Sequence, residues 1–160
     1  MAKMRKIMIR IKEDVFVTDY PHLVSTTVFI EYDGEFFPDG QWTDFAYPIL
    51  NTWASTIINN MDSQDAKFEL YFMDGPYKVE AEKCVDVVTL RFIHFGQENV
   101  CEFTTQCRYS ELMSAVYEAI KDFNYVLFKQ GFHSGKFENV FNESVVMANK
   151  LKKTIQMSHE

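Results

Sequence analysis

The groups in this 160-residue chain that could do chemistry are four histidines, three cysteines and 23 carboxylates, so their spacing comes first. His22, His94, His133 and His159 have no cysteine, acid or second histidine three or four residues away on an expected helix. The His-x-x-x-His and Glu-x-x-His arrangements that hold zinc or iron are therefore absent. His94 sits between Ile93 and Phe95, where a hydrogen-bonded structural histidine is expected. Cys101 and Cys107 fall on one face of one expected strand, too far apart along it to share a metal ion, and they read as core thiols. An odd cysteine count also fits reduced thiols better than a disulfide framework. No phosphate-binding, dinucleotide-binding or nucleophile-elbow motif occurs. No cofactor, metal or catalytic residue is expected. The closest paired carboxylates, Glu31, Asp33 and Glu35 around one turn and Glu80 with Glu82 on one strand, fit a solvated hairpin and the wet side of a sheet better than a general acid and base.

The distribution of charge says more than the net value of −7. Residues 1–12 carry Lys3, Arg5, Lys6, Arg10 and Lys12 and no acid, whereas residues 13–66 carry ten acids and no Lys or Arg. A basic stripe able to neutralise phosphates is missing, so nucleic acid is an unsuitable partner. An acid-only block would steer a basic partner toward the surface that carries it; spread around the molecule, the same acids would serve solubility alone. Tyr32, Phe36, Phe37, Trp42 and Tyr47 lie among the acids and could anchor an interface, or could belong to the core. No run approaches a membrane span. The basic start is not followed by the apolar stretch and cleavage site of a secretory signal. A cytoplasmic location is expected, with no membrane association.

The elements that must position these groups are organised around residues 42–61. Apolar side chains recur there at 42, 45, 46, 49, 50, 53, 54, 57, 58 and 61, the period of an amphipathic helix that has to lie on a sheet. Its polar face carries Asn, Thr and Ser rather than charge, as if something else covers part of it. Thr43 or Asp44 could cap it, and Pro48 is tolerated in its first turn. Upstream, a first strand is expected over residues 6–12 and a second over 23–32. Asp33-Gly34 then makes a tight hairpin turn into Glu35-Phe36-Phe37. Downstream, four strand candidates at 67–73, 77–83, 85–95 and 99–107 follow at short spacing, which predicts an antiparallel meander. Residues 85–95 are apolar on both parities and belong at the centre of the sheet. Ser110 caps a second helix that stops at Gly131, and a third runs over 138–155, its late lysines suiting the helix dipole.

The segments Phe36-Phe-Pro-Asp-Gly-Gln-Trp-Thr-Asp-Phe45, Leu50-Asn-Thr-Trp53 and Phe72-Met-Asp-Gly-Pro-Tyr77 resemble small bacterial α+β proteins of the immunity type, encoded beside polymorphic or contact-dependent toxins. The resemblance covers roughly residues 28–82 and implies an acidic, non-enzymatic inhibitor that covers the active site of a toxin, often a basic nuclease.

Together these readings give one α+β domain over residues 1–160: a single antiparallel sheet of about six or seven strands, a long central helix on one face, and two C-terminal helices. The expected function is binding a basic protein partner, a toxin, through Glu31, Asp33, Glu35, Asp39 and Asp44. The alternative is a small-ligand binder or enzyme with a pocket between the central helix and the sheet, lined by Phe and Tyr. A third reading is a homo-oligomer that associates through the weakly charged helix face.

Overall fold

The computed structural model describes residues 6–158; Lys3, Arg5 and His159 lie outside them. The first strand, β1 (Met8–Phe16), pairs antiparallel with β2 (Ser25–Tyr32) in the register Ile9 to Ile30 and Ile11 to Val28, with an irregularity between Ile11 and Val15. The turn after β2 is the expected one: Asp33 and Gly34 take φ of 54° and 80°, and β3 (Glu35–Phe37) returns along β2. A strand that periodicity missed, β4 (Thr43–Asp44), pairs with β2 through Thr26 and Thr27. Helix α1 (Ala46–Asn59) follows, with Pro48 in its first turn. The meander β5 (Asp65–Tyr71), β6 (Tyr77–Cys84), β7 (Val87–His94) and β8 (Val100–Arg108) comes next. Two helices, α2 (Tyr109–Lys129) and α3 (Glu138–Met157), complete the chain.

The fold is α+β, but the single sheet expected from sequence is two sheets of four strands each. In the first, β2 pairs with β1 on one edge and with β3 and β4 on the other; the second is ordered β5-β6-β7-β8, with β7 interior as expected. The reason is local. Pro38 follows the three-residue β3 and supplies no N–H for a ladder. The chain then returns to β2 as β4 and enters α1, so the meander has only its own hairpins to pair with.

One apolar cluster nevertheless draws on both sheets and all three helices. Phe37 of β3 meets the rings of Phe72, Tyr77, Phe92 and Phe103 around the second sheet. Ile49, Leu50, Trp53, Ala54 and Ile57 of α1 are fully buried. The polar face of α1 is covered in part by α3, where the Tyr47 hydroxyl donates to Glu143. Strand β8 runs directly into α2, so Ser110 lies inside the helix rather than capping it; Glu111 Oε1 accepts the Arg108 N–H at 3.1 Å. Gly131, with φ of 81°, ends α2: its N–H donates to the Phe128 carbonyl and that of Phe132 to Leu127. Among the described residues no helix is long and apolar enough to cross a membrane.

Candidate interaction surface

The five acids expected to make one contact surface are placed by β2, β3 and the loop that follows, and the pleat separates them. Glu31 stands on the outer face of the first sheet, opposite Phe36. There Arg10 Nε donates to its Oε2 at 2.5 Å. Phe29 lies beneath, covered by Phe36 edge-on and by the Lys12 ammonium, which also donates to the Gly40 carbonyl. Glu35 pairs with Tyr32, one residue from Phe36, and so faces the opposite side. Asp39 closes its own loop, with Oδ1 accepting the Gln41 N–H at 2.8 Å. Asp33 occupies the exposed turn.

Asp44 departs furthest from expectation. It is 1% exposed and cannot meet a partner. Its Oδ2 accepts from the Trp42 indole N–H at 2.8 Å and from the backbone of Met73 and Asp74 at 3.0 and 3.1 Å, while Oδ1 accepts from Phe45 N–H at 2.7 Å. It does not cap α1. It ties β4 to the turn between β5 and β6, where the Trp42 ring lies so close that a Cβ on Gly75 would come within 2.6 Å of it.

Of the aromatic anchors considered, Phe37 is core, and Tyr32, Trp42 and Tyr47 are half-buried; only Phe36, 47% exposed, stands open to solvent. Glu35 and Phe36, beside the turn, are thus the part of the expected surface that stands exposed.

Elsewhere the reactive side chains have structural partners. Lys83 sits on the dry parity of β6, 4% exposed, and its ammonium donates to the carbonyls of Asn60, Met61 and Ser63 while facing the Tyr109 ring at 4.4 Å. Burial draws its pKa below the usual lysine value, and three carbonyls at the end of α1 hold the charge there. Sequence periodicity missed this residue because a lysine in strand alternation reads as wet; the one available signal was its shared parity with Val79 and Ala81. On the outer face of the second sheet, Glu69 accepts from the Tyr71 hydroxyl and from Lys78 at 3.0 Å. The Tyr71 hydrogen bond, then Lys78, lowers the Glu69 pKa, and Glu69 in turn raises those of both partners. His94 stacks on Tyr77 at 4.7 Å. Cys107 is a core thiol as expected, whereas Cys101, beyond an irregularity between Phe92 and Ile93, is exposed. No group of three or more His, Cys, Asp or Glu able to hold a metal occurs among the described residues. Between α1 and the second sheet, Trp53 and Phe72 pack edge to face at 5.2 Å.

Compared with family models, with curated proteins and with solved structures, the chain has no significant match.

Proposed function

We propose that this chain is a non-enzymatic binding protein that inhibits a basic protein toxin by direct contact, in the manner of an immunity protein. The observation that carries the reading is the β2–β3 hairpin, where an exposed Phe36 lies next to Glu35 and three residues from Asp33, within a 54-residue stretch that has ten acids and no base. A hairpin tip that carries an exposed apolar side chain and acids suits a basic surface that must be both steered and held. The contact set centres on Glu35 and Phe36, with Asp33 in the exposed turn beside them. Glu31 contributes through its pair with Arg10, Asp39 serves its loop, and Asp44 belongs to the interior. The resemblance to immunity proteins supports the same reading and adds a nuclease as a suitable toxin.

The test is a tagged pull-down from the native host at low salt and at about 0.5 M, where ionic attraction between exposed groups is strongly screened. Recovery of one basic protein, weakened by salt and lost with Asp33→Lys/Glu35→Lys, is the expected outcome. Capture that is indifferent to salt and to both substitutions would remove the hairpin from the interface.

A further inference from the structure

Each sheet ends in strands paired on one side only, and most of these edges are covered or cut short. Strands β3 and β4 have three and two residues, and Pro38 stops β3. Helix α2 flanks the outer side of β1 across a cleft lined by both elements. The edge of β5 carries α1, whose Trp53 indole N–H donates to the Tyr71 carbonyl. Strand β8 differs. It ends the order β5-β6-β7-β8, and its ladder with β7 is regular from Phe103 to Arg108, with Glu102 unmatched just before that run. Apart from β7, its principal neighbour is α2, into which the chain runs directly.

The backbone of β8 offers hydrogen bonds on that open side. The Tyr109 N–H donates to the Asp86 carbonyl at 2.7 Å, toward β7, and the Arg108 N–H points the other way, to Glu111 Oε1 at 3.1 Å. Alternation along the strand carries this direction back to Gln106 and Thr104, whose N–H and C=O groups therefore face away from β7. Both residues are exposed, and among the described residues no turn, loop or side chain bonds these groups. The edge also complements itself. A two-fold axis normal to the sheet sets a strand antiparallel to its own copy with both core faces on one side, so opposed residues share parity. Centred on Thr105, such pairing sets Thr104 against Gln106, Phe103 against Cys107 and Glu102 against Arg108. Core-side residues meet core-side residues, and each end closes on opposite charges. Centring on Thr104 or Gln106 instead sets Glu102 against Gln106, or Arg108 against Thr104, and loses both charge pairs. Glu102 and Arg108 are exposed, and neither is in an ion pair among the described residues.

We propose that the chain associates with a second copy of itself through β8, antiparallel and centred on Thr105, so that the four-stranded second sheets of the two copies join into one. Thr104 and Gln106 would exchange backbone hydrogen bonds with Gln106 and Thr104 of the second copy, and Glu102 of each copy would meet Arg108 of the other. An unrelated extended segment would gain the backbone bonds as well, but the charges at the two ends of β8 are matched by β8 itself. The interface is separate from the Glu35-Phe36 hairpin and does not rest on it.

Sedimentation equilibrium of the full-length chain, from about 10 μM to about 1 mM, the weak end of such affinities, reads the association, and amide hydrogen exchange reads its place. A monomer–dimer equilibrium is expected, with exchange at Thr104 and Gln106 slowing as concentration rises. Glu102→Arg and Arg108→Glu should each weaken it about tenfold or more, since each turns two attractive pairs per dimer into like-charge pairs. Combined in one chain, the two reversals should restore association. Mixed as separate chains, the single variants should bind each other more tightly than either binds itself. A merely misfolded variant would be repaired by neither. The proposal is overturned by a chain that stays monomeric at about 1 mM, by a dimer that both single reversals leave unchanged, or by weakening that neither the double variant nor the mixture repairs.

Discussion

Lys83 and Cys107 show how one position decides between chemistry and architecture. An ammonium facing three carbonyls and an aromatic ring has no donor left for a substrate. The Cys107 thiol is pushed up to about 12, mainly by burial and secondarily by Glu111, so at neutral pH it holds its proton and is a poor nucleophile. Cys84 and Cys101 are exposed. A thiol reagent is therefore expected to label those two in the native protein and to reach Cys107 only after denaturant is added. Mass spectrometry of the digested adducts reads this directly, and native labelling at Cys107 would mean that the β8 end of the core is loose.

At the scale of elements, α1 depends on α3 for cover on the side turned away from the sheets. The contact includes the Tyr47 hydroxyl and Glu143, and burial followed by that carboxylate raises the Tyr47 pKa from 10 to about 12. The sign follows from linkage. The folded state holds the phenolic proton more tightly than the unfolded state, so the contribution is fully present below pH 10 and is lost as pH rises toward 12. The ultraviolet difference titration between the wild type and Tyr47→Phe should show that ring ionising near 12, and Glu143→Gln should lower the value only in part, because burial is the larger cause. Ionisation near 10 in the wild type would mean that α3 does not cover Tyr47 in solution. The remaining helix boundaries follow local chemistry: the positive φ of Gly131 ends α2, and the short hairpins keep the meander in order.

For the whole molecule, the question is what joins two sheets that share no ladder. Aromatic packing around Phe37 supplies area, and Asp44 supplies a directional tie from β4 to the β5–β6 turn. Replacing Asp44 by Ala strands four N–H donors in a buried setting, and the expected loss is roughly 3 kcal/mol or more. Urea unfolding of Asp44→Ala would register it as a lower midpoint. A midpoint within about 0.5 kcal/mol of wild type, the range of an ordinary surface substitution, would mean that the tie is not made. The same fold sorts the acidic segment: part of it is consumed internally or by cations, while Glu35 stays exposed beside Phe36.

The sequence by itself determined most of the elements and their kind, because hydrophobic period, turn chemistry and connection length act over a few residues. The α1 face, the Asp33-Gly34 turn, the meander and the stop at Gly131 were all legible that way. It did not determine how strands partition into sheets, since β4 is too short to carry a period and pairing depends on which edge the chain returns to. Nor did it determine which acids face a partner. Glu31 and Glu35 are four residues apart and diverge because β3 folds back on β2, while Asp44, identical in type to Asp33, is claimed by amides 29 and 30 residues away. Charge could be counted from the chain, but its availability was set by contacts that only the tertiary structure brings together.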